Sequence, residues 1–75
     1  MRTFKRSEAI RILSEMQAEA LDPENGYMTE EDRVDYDSFT NDKLEAELCL
    51  SGYIHDTEMG GVVDDRDWSR ASVTA

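Results

Sequence analysis

Apolar residues follow their clearest helical pattern between Thr40 and Gly52, which predicts a helix over residues 41–51. Thr40 is placed to cap the first turn, and Gly52 suits the left-handed residue that often follows a helix. Leu44 and Leu48 lie four residues apart and form one apolar face. A second apolar series lies on another face (Ala46, Cys49, Leu50 and Tyr53). A helix that is apolar on two sides is expected to be central to a bundle, or shared between a core and a partner.

A second periodic pattern predicts a helix over residues 7–20. Ser7 suits the N-cap of this helix, and Glu8 places an acid in its first turn. One stripe of the helix is apolar at the spacing of a surface that faces a core (Ala9, Leu13, Met16 and Ala20). Pro23 and Gly26 then break the helix, because proline restricts the residue before it and Asn-Gly is typical of turns.

A third, shorter helix is predicted over residues 30–38. Thr29 and Asp32 have the spacing of a capping box, with Asp in place of the usual Glu. Val34 would face the core, whereas most of the other positions are acidic (Glu30, Glu31, Asp32, Asp35 and Asp37). A helix that served only solubility would normally mix both signs of charge, so this segment is a candidate binding surface.

The pattern weakens over residues 54–75, which are predicted to be irregular or only partly ordered. Gly60 and Gly61 can reverse the chain and give at most a short hairpin. Trp68 would pack back on the helices from a single helical turn, and residues 71–75 are expected to fray.

These elements predict an all-α fold, a small three-helix bundle with an irregular or short hairpin C-terminal segment. Seventy-five residues correspond to a single domain near the lower size at which one core suffices. Cys49 is the one cysteine, so no internal disulfide can form, which favours a reducing, cytoplasmic location. No apolar run reaches membrane-spanning length, and Met1–Arg6 is not followed by the apolar block of a signal peptide.

The charge of the chain is strongly negative and unevenly placed. The net charge is −10, with +3 over residues 1–11 and −13 over residues 12–75. Direct binding of residues 12–75 to nucleic acid is disfavoured, because affinity for phosphates depends on lysine and arginine. Basic protein surfaces are the expected partners.

Few residues are candidates for chemistry, and each has a simpler interpretation. His55 is the one histidine, and a single histidine beside Asp56 provides too few ligands for a structural zinc site. Cys49 lies within the apolar series of the last predicted helix, so an inert thiol is expected there. The chain contains no glycine-rich phosphate loop. The sequence therefore predicts a protein that is not an enzyme and uses no cofactor or metal.

Residues 25–32 resemble the second half of an EF-hand calcium loop. Gly26 would occupy the glycine position of that loop and Asp32 its last position, where the family uses a bidentate Glu. Leu21 and Pro23 then fall at the first and third ligand positions, which require oxygen-bearing side chains. Because these two positions lack oxygen-bearing side chains, we expect a helix–loop–helix turn that does not bind calcium.

In size and charge the chain resembles small, acidic, phage-encoded inhibitor proteins, including anti-CRISPR proteins of the DNA-mimic type. The resemblance implies a non-enzymatic inhibitor in the host cytosol that occupies a basic, nucleic-acid-binding surface of its target. Acidic residues at helical spacing have Cβ atoms about 5–6 Å apart, and their carboxylates could engage side chains that normally bind phosphates. The residues expected to bind the partner are Glu30, Glu31, Asp32, Asp35, Asp37, Asp42, Glu45 and Glu47.

Two alternatives remain open at this stage. The chain could be a small regulatory or assembly module that binds through the second apolar face of its last helix, as a homodimer through Leu50. The acids could also form a solvated face that only keeps the protein soluble. Salt separates a charged interface from an apolar one, because screening weakens the first far more than the second.

Overall fold

The structure, a computed structural model, describes residues 1–68. In chain order the regular elements are strand β1 (Arg2–Lys5), helix α1 (Arg6–Ala20), helix α2 (Asn41–Leu50) and strand β2 (Met59–Val63). Three single 3-10 turns lie between or after these elements, at Glu30–Asp32, Tyr36–Ser38 and Asp65–Asp67. Residues 71–75, which are predicted to fray, lie outside the described residues.

The prediction of an all-α bundle is wrong, because β1 and β2 pair as a parallel two-stranded sheet. Phe4 is paired with Val62, and Lys5 with Val63. The predicted hairpin at Gly60 is also absent from the described chain, since this glycine lies within β2 itself. A Cβ atom on Gly60 would lie 2.9 Å from the Arg2 carbonyl oxygen, so the absence of a side chain lets the two strands approach.

The core lies between the sheet and the two helices. Phe4 from β1 and Leu44 and Leu48 from α2 are its largest fully buried side chains. The remaining members of the core come from α1 and β2 (Ala9, Ile12, Leu13, Met59 and Val62). Each regular element therefore contributes to one core, as expected for a chain of this size.

Helix α2 has the capping residues that its sequence predicts. The Thr40 hydroxyl accepts a hydrogen bond from the Lys43 backbone N–H at 3.1 Å. Gly52 has a φ of +81°, the left-handed conformation that glycine adopts without strain. The two apolar faces differ in burial, because Leu44 and Leu48 are buried while Leu50 is 80% exposed.

The segment over residues 30–38 is not the predicted helix. It forms two 3-10 turns separated by Arg33, whose backbone has the non-helical angles φ −58° and ψ 132°. Asp32 accepts hydrogen bonds from Thr29, and Asp35 accepts one from the Asp37 backbone N–H. Aspartates that bond to nearby backbone favour turns over continuous helix, which explains the difference.

A buried glutamine attaches this segment to α1. The Gln17 amide donates to the Val34 carbonyl at 3.0 Å and accepts from the Val34 backbone N–H at 2.7 Å. Gln17 is the one polar side chain among the buried residues of the described chain. Because both of its polar atoms are satisfied, it fixes the segment without the cost of an unpaired buried group.

Arg6 and its partners link the start of α1 to the start of α2 and to the residue that follows β2. The Arg6 guanidinium donates to the Asn41 side-chain oxygen at 2.9 Å and to the Asp37 carbonyl at 2.8 Å. Asn41 in turn donates to the Asp64 carboxylate at 3.1 Å. This network joins α1, α2 and the residues that follow β2.

Leu48→Ala and Leu50→Ala make the same chemical change on the two faces of α2. Leu48→Ala should lower the free energy of unfolding by about 2–5 kcal/mol, because it leaves a cavity in the core. Leu50→Ala should lower it by less than about 0.5 kcal/mol, because the leucine is mostly in solvent. Urea unfolding followed by circular dichroism measures both, and equal losses would contradict the placement of α2.

Asp65→Asn should destabilise the protein in a pH-dependent manner. Hydrogen bonds from Ser7, at the start of α1, hold the pKa of Asp65 below its ordinary value. A carboxyl with a lowered pKa stabilises the fold fully above its unfolded pKa of about 3.9, and this contribution is lost as the pH falls through the folded value. The Tm of Asp65→Asn should therefore lie below that of the wild type at about pH 7 and approach it at about pH 2.

Asp67→Asn is the matched control for Asp65→Asn, because it removes the same charge from the same 3-10 turn. No described hydrogen bond to the Asp67 side chain links it to α1. Its effect on the Tm at about pH 7 should be the smaller one. An Asp65→Asn deficit of the same size at both pH values would contradict the assigned role of the carboxylate.

Candidate partner-binding surface

The eight acids predicted to bind a partner do not form one surface. Glu45 and Glu47 are separated by about 200° around α2, so they flank its buried face on opposite sides. The Glu45 carboxylate lies beside Gly61 of β2. Glu47 lies on the other side, next to Tyr36, whose pKa is raised by burial and by the Glu47 charge. The structure therefore divides the predicted set at α2.

Three of the acids over residues 30–37 serve the local structure of their own segment. Glu30 pairs with Arg33 through two hydrogen bonds of 2.8 and 3.0 Å, which hold the pKa of Glu30 below its ordinary value. Asp32 and Asp35 accept the hydrogen bonds of the two 3-10 turns. Glu31 and Asp37 are exposed, and no described side chain or backbone group donates to their carboxylates.

Few carboxylates of the described chain have a basic partner. Of the eighteen acidic side chains, three lie within ion-pair distance of an arginine (Glu15, Glu30 and Asp64). Three basic side chains lie instead over aromatic rings, since Arg2 contacts Phe4, Lys5 contacts Trp68 and Lys43 contacts Phe39. The other fifteen carboxylates have no described lysine or arginine within that distance. Some of them accept hydrogen bonds within the fold (Asp22, Asp32, Asp35 and Asp65).

An open groove of mixed polar and apolar lining borders the acidic segment, and Tyr36 forms part of that lining. We call it the Leu50 groove; it has a volume of about 260 Å³. Its walls are the second half of α1, the loop that follows it, and the end of α2. The residues that line it are Leu13, Met16, Gln17, Ala20, Tyr27, Met28, Tyr36, Glu47, Leu50 and Ser51.

Two large side chains of the groove stand in solvent. Tyr27 is 88% exposed and Leu50 is 80% exposed. A second shallow depression lies on the other side of Leu50 and is lined by Cys49, Leu50, Gly52, Ile54, His55 and Asp56. Leu50 thus projects between two open depressions, which is the geometry of a side chain available for contact.

The described residues offer no arrangement typical of catalysis or metal binding. The His55 ring nitrogen Nδ1 contacts the Thr57 hydroxyl at 2.8 Å and Asp56 at 3.2 Å, within its own turn. No group of three or more His, Cys, Asp or Glu side chains in residues 1–68 could hold a metal ion. Asp32, the last position of the EF-hand resemblance, bonds to Thr29. None of the helices formed by these residues has the length and apolar character needed to cross a membrane.

Comparison of the chain with protein-family models, with curated proteins and with solved structures finds no match. These comparisons give no support to the expectation that the chain is a phage-encoded, anti-CRISPR-type inhibitor, and that expectation is withdrawn. A proposal of function therefore depends on the charge distribution and the geometry of the surface.

Sequence reasoning found Leu50 but missed the rest of its groove. The second apolar face of α2 identified Leu50 as available to a partner, and its 80% exposure agrees with that possibility. Met16 belongs to the predicted core stripe of α1, and Tyr27 lies within the segment that resembles an EF-hand loop. Their proximity to Leu50 depends on how α1 and α2 pack, which the pattern of either helix alone does not contain.

Proposed function

We propose that this chain is a non-enzymatic binding protein that occupies a basic, nucleic-acid-binding surface of another protein and thereby inhibits it. The observation that supports the proposal is that fifteen carboxylates have no described lysine or arginine within ion-pair distance, while Arg2, Lys5 and Lys43 lie over aromatic rings. A surface with such an excess of carboxylates is complementary to the lysines and arginines that bind phosphates.

The proposal extends to the compartment in which the protein acts. Cys49 is a free, half-buried thiol. A chain with a single unpaired cysteine suits a reducing environment, so we place the protein in the cytoplasm.

A second candidate function is supported by the exposure of Leu50 and Tyr27. Large apolar side chains grouped in an open groove are typical of assembly through apolar contact, including contact between two copies of one chain. Such an assembly would tolerate high salt, whereas a complex held by carboxylates would dissociate as ionic strength rises.

Reversal of Glu31 and Asp37 to lysine tests whether the acidic segment binds the partner. Neither carboxylate has a described protein partner, so the fold should survive the change. Asp35 is unsuitable, because its side chain accepts a hydrogen bond from the Asp37 backbone N–H.

The immobilised wild type should retain a nucleic-acid-binding protein from a lysate of the source organism at about 0.05 M salt and release it at about 0.5 M.

Purification of the retained protein then allows its affinity for each variant to be measured. The Glu31→Lys, Asp37→Lys variant should bind at least about tenfold more weakly, since each charged contact at an interface contributes on the order of 1 kcal/mol or more. Duplex DNA should compete with the wild type for the same surface.

The matched control reverses Glu19 and Glu58, which are exposed and change the net charge by the same amount. The control should bind within about threefold of the wild type, because long-range charge is screened at physiological salt. Equal weakening of the two variants would show that only net charge matters. Unchanged binding by both would contradict the proposal.

A further inference from the structure

We infer that the Leu50 groove is the docking site for a basic amphipathic segment of the partner, in which an apolar side chain is flanked by lysine or arginine. The inference rests on the proposed function and adds to it the chemistry of the segment that is bound. Its basis is that the exposed side chains of Leu50 and Tyr27 lie beside carboxylates, with no described lysine or arginine lining either depression.

The apolar part of the site is formed by side chains from three separate parts of the chain. Leu50 comes from α2, Tyr27 and Met28 from the loop after α1, and Met16 from α1 itself. Leu50 and Tyr27 are almost fully exposed, so their burial by a partner would remove a large apolar area from water. The two methionines are flexible and can adapt to the shape of an entering side chain.

The charged part of the site explains why the bound segment should be basic. Glu47 is the one charged side chain that lines the groove, and Asp56 lines the depression on the other side of Leu50. Among the described residues, no lysine or arginine lines either of them. An apolar side chain bound beside Leu50 would therefore have carboxylates on both sides, which favours neighbouring cations in the ligand.

The same charges argue against a second copy of this chain as the occupant. A two-fold contact centred on Leu50 would place the same acidic residues, Glu47 and Asp56, of two copies near one another. Each copy also carries a net charge of −10, and like charges at an interface oppose association. A cationic ligand removes this repulsion.

Two synthetic peptides of about fourteen residues test the inference. Both contain leucine and lysine in the same proportions and carry the same fluorophore. One places leucine at the spacing of a helix face, and the other has the same composition in scrambled order. Binding to the full chain is measured by fluorescence anisotropy at about 0.05 M and about 0.3 M salt.

The patterned peptide should bind at least about tenfold more tightly than the scrambled one, which corresponds to about 1.4 kcal/mol. Leu50→Gln should remove most of that preference while leaving the weak, salt-sensitive binding of the scrambled peptide in place. Ala18→Gln, which introduces the same side chain at an exposed position of α1, should bind both peptides as the wild type does.

The outcomes separate this inference from the proposed function. Equal binding of the two peptides, or a preference that survives Leu50→Gln, would overturn the groove as a docking site and leave charge-driven binding intact. Failure of both peptides to bind at low salt would count against the proposed function as well. A dimer of the wild type in sedimentation that is lost in Leu50→Gln would show that a second copy covers the groove, and would also overturn the inference.

Discussion

The parallel pairing of β1 with β2 is the constraint on which the rest of the structure depends. It brings Phe4, near the start of the chain, against Val62, and both side chains enter the core with Leu44 and Leu48. Parallel strands cannot be joined by a tight turn, so the connection must pass through intervening elements. Here α1, the segment of 3-10 turns and α2 form that connection, and the sheet fixes where the connection begins and ends.

This arrangement also determines which surfaces remain open. With Leu44 and Leu48 directed to the sheet and α1, the opposite face of α2 has no described element to cover it, and Leu50 stays in solvent. Arg6 donates its hydrogen bonds to Asn41 and to the backbone of Asp37, and no described carboxylate lies within ion-pair distance of it. The fold thus leaves an acidic surface and the Leu50 groove side by side, with Tyr36 common to both.

The two long helices, α1 and α2, could be predicted from sequence because their signals are local, whereas the helix predicted over residues 30–38 was wrong. Thr40 and Gly52 mark the two ends of α2 through their own side-chain and backbone chemistry. The sheet could not be predicted, because strands of four and five residues show too little alternation and their pairing joins distant parts of the chain. For the site, the acids were evident from composition, and helix geometry alone places Glu45 and Glu47 about 200° apart. Their neighbours, Gly61 beside Glu45 and Tyr36 beside Glu47, depend on how α2 packs.

The central claim is that one surface, composed of the Leu50 groove and the adjacent acidic segment, binds a basic partner. Its most direct test is an NMR titration of the isotope-labelled protein with the patterned basic peptide, which reports each backbone amide separately. We predict that the chemical shifts of the backbone amides change most around Tyr27, Glu47 and Leu50, and less over residues 30–37. Shift changes concentrated instead on β1 and β2, or spread evenly over all acidic residues, would contradict it.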